Sequence, residues 1–158
     1  MKITILEKGP FAVDGGIPVK EVGVTIDSAG ARAFKDGKKY EATESPKYLC
    51  RCGHSANKPF CDGKHVETGF AGTETADRAK YNTKAETDPN VAKEISLFKY
   101  EATHILGPIG VMGGIQITGS DGFEYAPKTQ TSLCRCGVSK NMPFCDGSHM
   151  KCDHMKEA

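Results

Sequence analysis

Leu49–His65 reads LCRCGHSANKPFCDGKH, and Leu133–His149 reads LCRCGVSKNMPFCDGSH. Laid over one another at a constant shift of 84, the two stretches agree at 13 of 17 positions without a gap. Upstream, Gly9, Pro10, Val13, Gly15, Gly16 and Ile17 recur as Gly107, Pro108, Val111, Gly113, Gly114 and Ile115 at a shift of 98. The chain is therefore an internal duplication, and the difference between the shifts places 14 extra residues in the first copy, within Lys20–Phe34. Two copies are too few for a solenoid.

Working outward, short runs of β-forming residues surround each cysteine stretch. They are Ile3–Leu6, Ile17–Ile26, Tyr40–Thr43 and Tyr48–Leu49, then Ile105–Leu106, Ile115–Thr118 and Phe123–Tyr125. Gly-Gly, Gly-Pro and Asp-Gly turns punctuate them, which predicts strands capping a cysteine loop. Between the copies, residues 71–94 are polar and mixed in charge with little hydrophobic period. That predicts a linker on the surface. The expected division is a first repeat over 1–70, a linker over 71–94 and a second repeat over 95–158.

The 158 residues include 38% hydrophobic types, 18 glycines, seven cysteines and no tryptophan. Halves of such a chain are too small for an apolar core to hold alone, so a metal, a disulfide or docking of the halves must add stability. Net charge is +1, with 12 basic and 11 acidic residues in 1–79 and 9 of each in 80–158. This is not the concentrated basic surface of a nucleic-acid binder. No stretch approaches the roughly 18 apolar residues of a membrane helix. The opening MKITILEKGPF has no apolar core followed by a small-residue cleavage site. A soluble, cytoplasmic chain without a membrane anchor is expected. No Gly-rich nucleotide loop or Ser/His/Asp set stands out, so an enzyme is not expected.

Six cysteines fall in the repeated spacing C-x-C-x8-C: Cys50, Cys52 and Cys61, then Cys134, Cys136 and Cys145, each followed at the same offset by His65 or His149. Three cysteines cannot pair within a copy, and cysteines two apart rarely bridge, so disulfides fit poorly. A structural zinc accepts a Cys3His set but usually spaces its first pair C-x2-4-C. An iron–sulfur cluster of two irons needs four terminal ligands, two on each iron. Asp62 and Asp146 are expected as helix N-caps or loop braces, with Cys61 and His65 then projecting from one helical face. The Pro59-Phe60 and Pro143-Phe144 pairs serve either ordinary packing or shielding of the site.

The pattern C-x-C-x2-S-x3-P-x-C-D-G-S-H resembles the CDGSH iron–sulfur (NEET-like) family, and the second copy matches every element. The first departs from it at Lys64, where Ser148 stands in the second. The resemblance implies two 2Fe-2S clusters, with Cys50 and Cys52 on the inner iron and Cys61 and His65 on the outer. Cys134, Cys136, Cys145 and His149 repeat the set. It also implies a small β-rich α+β fold, each repeat a strand cap with a cluster loop and short helix, docked as an intramolecular pseudo-dimer within a monomer. The function implied is proton-coupled electron transfer or redox sensing with a redox partner. The alternatives are transfer of the cluster to an apo iron–sulfur acceptor protein and a structural zinc module for protein contacts.

Three thiolates and a neutral imidazole leave an oxidised cluster one negative charge lighter than four thiolates, so reduction should be easier than in plant-type ferredoxins near roughly −400 mV. A histidine bound through one nitrogen leaves the other to titrate, which couples electron to proton; protonating the ligating nitrogen of His65 or His149 breaks one of four attachments, which makes the clusters acid-labile. Lys64 and His54 face Ser148 and Val138 across the repeat, which predicts a higher potential at the first site. Arg51 and Arg135 either offset cluster charge or point to solvent. Ser55 and Ser139 bond either to sulfur or to a local turn. Cys152 is expected as a spare thiol, and His104 and His154 as surface residues.

Overall fold

A computed structural model describes residues 1–42, 46–81 and 85–157. The first copy supplies β1 (Lys2–Ile5), β2 (Phe11–Asp14), β3 (Val19–Ile26), β4 (Arg32–Tyr40) and β5 (Lys47–Leu49). The second supplies β6 (Glu94–Tyr100), β7 (Ile105–Met112), β8 (Gln116–Thr118), β9 (Glu124–Tyr125) and β10 (Gln130–Leu133). One sheet runs β5-β2-β1-β8-β9 and the other β10-β7-β6-β3-β4. Replacing each strand by its counterpart in the other copy converts the first order into the second. Each sheet thus takes three strands from one copy and two from the other. The joints between copies are parallel, β1 on β8 from Lys2↔Gln116 to Thr4↔Thr118 and β3 on β6 from Val19↔Ile95 to Val24↔Tyr100.

One apolar core serves both sheets. Ile3, Ile5 and Phe11 from one sheet and Val19, Ile95, Leu97, Ile109 and Val111 from the other belong to a single buried cluster. Alternation along the strands supplies it: in β1, Ile3 and Ile5 are buried while Lys2 is exposed and Thr4 half-buried.

The α+β expectation is overturned, because the fold is β-rich. Among the described residues the α-helices are α1 (Lys64–Thr68) and α2 (Arg78–Tyr81), of five and four residues, and neither buries a residue there. In the second copy the place of α1 is taken by a 3-10 turn, Ser148–Lys151, followed by another at Asp153–Met155. The cause is local. Gly63 and Gly147 stand before these turns at φ 86° and 87°, so neither can extend toward the N-terminus; Gly69 ends α1 at φ 68°, and Cys152, in extended backbone, ends the turn of the second copy. No amphipathic face long enough to pack on the sheets can form.

Strands were recognisable at β1, β3, β5, β8 and β9 and, at Ile105–Leu106, at the start of β7; of the expected Tyr40–Thr43 strand, Tyr40 ends β4, Glu41 and Ala42 are not in a strand, and Thr43 lies outside the described residues. β2, β4, β6 and β10 were not recognisable as separate strands. The 14 additional residues lengthen the β3–β4 hairpin, whose tip is held by Asp27 Oδ1 accepting from Ala29 N and Ala31 N at 2.9 Å each. Almost all of β4 is exposed, so its sequence shows no buried face.

The stretch between the copies lies mostly on the surface, as expected, but it is also tied into the molecule at a few side chains. Ala76 is buried, and the Glu74 side chain is 5% exposed. Glu74 accepts from Tyr125 Oη at 2.5 Å and from Ser120 N and Oγ at 2.9 Å each. Arg78 clasps Asp121 at 2.6 and 3.0 Å. Asn82, Thr83 and Lys84 of this stretch lie outside the described residues. Among the described residues no helix is long and apolar enough to cross a membrane.

Candidate metal centres

Each cysteine loop hangs from the last strand of its copy. Cys50 N donates to Pro59 O at 2.8 Å and Cys61 N to Tyr48 O at 2.8 Å. Cys134 N to Pro143 O (2.8 Å) and Cys145 N to Ser132 O (2.9 Å) repeat the pattern. Strand pairing thereby brings the backbones of the first and third cysteines of each loop toward one another although they are 11 positions apart in sequence.

The donors come as close pairs. Cys50 Sγ lies 3.8 Å from Cys52 Sγ, and Cys61 Sγ lies 3.5 Å from His65 Nδ1. In the second loop the separations are 3.6 Å for Cys134 and Cys136 and 3.4 Å for Cys145 and His149 Nδ1. Cys134, Cys136, Cys145 and His149 line one narrow cleft with Gly107, Arg135 and Asp146. Among the described residues, no three or more His, Cys, Asp or Glu side chains converge as a site for a single ion.

Backbone amides point at the sulfurs. His54 N reaches Cys52 Sγ, Gly63 N reaches Cys61 Sγ and Gly147 N reaches Cys145 Sγ, each at 3.4 Å. Burial nevertheless pushes the Cys52 thiol up to about 11 and the Cys145 thiol upward. Cys136 is driven up chiefly by its hydrogen bond with Cys134. Thiolates at such depth require a cation to balance them, which is the chemistry of a metal-bearing loop.

The supporting residues sort differently from expectation. Ser55 Oγ donates to Phe60 O and Ser139 Oγ to Phe144 O, at 2.5 and 2.6 Å, so both serines brace a turn and neither bonds to sulfur. Asp62 accepts from Ala56 N and Lys64 N at 2.8 and 3.1 Å, and Asp146 from Lys140 N and Ser148 N at 2.8 and 3.0 Å. The aspartates are loop braces; the N-cap positions belong to Gly63 and Gly147. Arg51 and Arg135 are buried, not solvent-facing. Arg51 donates to Gly9 O, Gly72 O and Leu6 O at 2.7, 2.8 and 3.1 Å. Arg135 donates to Gly107 O and Phe98 O, both at 2.6 Å. Each arginine thus pins the Gly-Pro turn of its own copy to its cysteine loop, which gives Gly9-Pro10 and Gly107-Pro108 a reason to recur.

The charge difference expected at the first site is largely cancelled. Lys64 Nζ pairs with Glu67 at 2.8 Å, and His54, stacked on His154 at 4.3 Å, is held toward its neutral form first by burial and next by His154. Sequence reasoning missed four participants. His154, expected on the surface, is half-buried with Nε2 2.8 Å from Cys136 O. Tyr100 lies parallel to the His149 ring at 5.9 Å. Gly53 and Gly137, both at φ 84°, let the two loops cross backbone to backbone: a Cβ on Gly53 would stand 2.5 Å from Cys136 O, and one on Gly137 would collide with Cys52 O. Their recurrence after each C-x-C was the available signal. His104 is exposed as expected, and Cys152 Sγ donates to Ser148 O at 3.2 Å beside the second loop.

No curated protein and no solved structure matches the chain. A family model described as "Iron-binding zinc finger CDGSH type" matches residues 8–66 and 106–150. These two regions contain all eight paired donors and both Gly-Pro turns. Two donor sets on duplicated loops, each needing a cation, and a match over both copies make this chain a tandem member of the iron-binding CDGSH-type family.

Proposed function

We propose that each loop holds one 2Fe-2S cluster, through Cys50, Cys52, Cys61 and His65 in the first and Cys134, Cys136, Cys145 and His149 in the second. The protein then serves a partner protein as an electron carrier or redox sensor and is not an enzyme. The observation that carries this reading is the grouping of donors in pairs. A tetrahedral centre with bonds of about 2.3 Å sets two of its sulfur donors about 3.8 Å apart. The thiol pairs at 3.8 and 3.6 Å fit that edge, and the thiol–imidazole pairs at 3.5 and 3.4 Å fit its slightly shorter mixed form. Two pairs suit two bridged irons. One zinc ion would draw all four donors to a single point.

When bound, such a cluster supplies a one-electron couple. The residues decide how it is used. Nδ1 of each histidine faces the neighbouring thiol, which leaves Nε2 as the proton site. The half-buried His65 can exchange that proton with solvent, whereas His149 Nε2 is buried without a partner. Proton-coupled electron uptake therefore belongs to the first loop. Iron and acid-labile sulfide analysis with a visible spectrum tests the reading. About four irons and four sulfides per chain are expected, two of each for every loop. Zinc without sulfide overturns it.

A further inference from the structure

The two loops share most of their residues but are held differently. The second is strapped by the stretch between the copies. Thr75 N and Ala76 N both donate to Met142 O at 2.9 Å. Thr75 Oγ1 donates to Lys140 O at 2.9 Å and accepts from Met142 N at 3.1 Å. Tyr81 stacks on Phe144 at 4.1 Å, and its hydroxyl accepts from Asn141 Nδ2 at 3.2 Å. The C-terminal turns close the other side: Met155 is fully buried, and His149, under Tyr100, is 5% exposed with Nε2 shut off from both solvent and partner.

The equivalent positions of the first loop are looser. Asn57 is exposed, Lys58 and Phe60 are half-buried, and Phe60 meets Tyr40 edge-on at 5.3 Å. His65 rides on α1, which buries nothing and leaves Val66 76% exposed.

We propose that the loops are unequal by construction: the strap holds the cluster of the second loop in place, and the first loop releases its cluster first, whether to a chelator or to four cysteines of an acceptor protein. This rests on the 2Fe-2S reading above. In the exchange, Cys50, Cys52, Cys61 and His65 give up four bonds to iron while four cysteines of the acceptor form four. The acceptor's thiols release protons, the three freed thiolates take up three of them, and the fourth passes to solvent. The oxidation state does not change, so no oxidant or reductant is consumed. The first loop can present its histidine to the incoming thiol directly. The second must first break the strap, whose several hydrogen bonds act together.

The test follows the loaded protein in an iron chelator, quenching aliquots with a maleimide and locating the label by peptide mass spectrometry. Cys50, Cys52 and Cys61 should label at least about tenfold faster than Cys134, Cys136 and Cys145. With an apo-ferredoxin in place of the chelator, transfer should stop near one cluster per chain. A Thr75→Val, Tyr81→Leu double variant should bring the second loop up to the rate of the first and leave the first unchanged, and Thr75→Ser should keep the second slow. In the metal-free wild type, hydrogen exchange should protect the backbone of 140–144 more than that of 56–60, a readout that needs no cluster. Simultaneous or reversed labelling in the wild type, or a double variant whose second loop stays slow, overturns the proposal. Iron and sulfide counts on the same preparation test the cluster reading separately, since a single ion per loop would sink that reading while the labelling order still reports on the strap.

Discussion

At the scale of single residues, the site is governed by close approach and by charge. Gly53 meets the opposite loop where a Cβ has no room and at a φ that L-residues avoid. Gly53→Ala should therefore destabilise the protein by at least about 1–3 kcal/mol, read as a lower melting temperature together with loss of cluster from both loops. Arg135 forks between Gly107 O and Phe98 O. Lysine has the charge but not the fork, so Arg135→Lys should cost roughly 1.5–3 kcal/mol in denaturant unfolding. The thiols carry a pH consequence. Because burial raises Cys52 to about 11, the apo-protein holds this thiol protonated at neutral pH. Metal uptake must expel that proton, so apparent affinity rises with pH through the neutral range and above it. Calorimetry in two buffers of different protonation enthalpy should show proton release on loading; heats independent of buffer near pH 7 would count against it. The eight paired donors were legible from spacing alone, since cysteine and histidine at recurring offsets have few other uses. Tyr100 and His154 were not, because a ring that packs on a ligand from a distant strand leaves no local pattern.

Among the elements, the segment between the copies goes furthest beyond its reading. Its polar composition pointed to a surface linker, and most of it is exposed, yet Glu74 is the acceptor for Tyr125 Oη and for both Ser120 groups. Removing the acceptor leaves a buried hydroxyl unpaired, so Glu74→Ala should cost about 1–3 kcal/mol in thermal unfolding, well beyond an ordinary surface change. The residues of such a strap are polar because their work is hydrogen bonding, and composition cannot separate that from solvation. β4 fails for the complementary reason: an edge strand exposed along its length needs no hydrophobic alternation. β6, with Ile95, Ser96 and Leu97 buried in succession, departs from simple alternation because it is covered by neighbours on both sides in the sheet and lies at the joint between copies. The short helical turns follow from glycines that the sequence displays plainly, but their left-handed φ, which stops the helix, depends on the loop around them.

For the whole molecule, the exchange of strands makes the two copies one folding unit. β1 needs β8 and β3 needs β6, so a fragment of residues 1–81 or 85–158 alone lacks two strands of one sheet and three of the other. Either fragment should show no cooperative melting transition as a monomer in sedimentation and circular dichroism, while the two mixed should regain one; a monomeric fragment that melts cooperatively would contradict the shared core. The near balance of charge, +1 overall, leaves recognition of any partner to local patches, with steering by a global field weak. The sequence by itself determined the duplication, the eight candidate donors and the turn glycines, because ligand chemistry and the tolerance of positive φ are properties of residue type and spacing. Only the tertiary structure decided that the copies trade strands, that the intervening segment straps one loop and that His149 is buried while His65 is half-exposed. Strand partners and burial are set by contacts between residues far apart in the chain, and two nearly identical motifs acquire different environments from what packs on them.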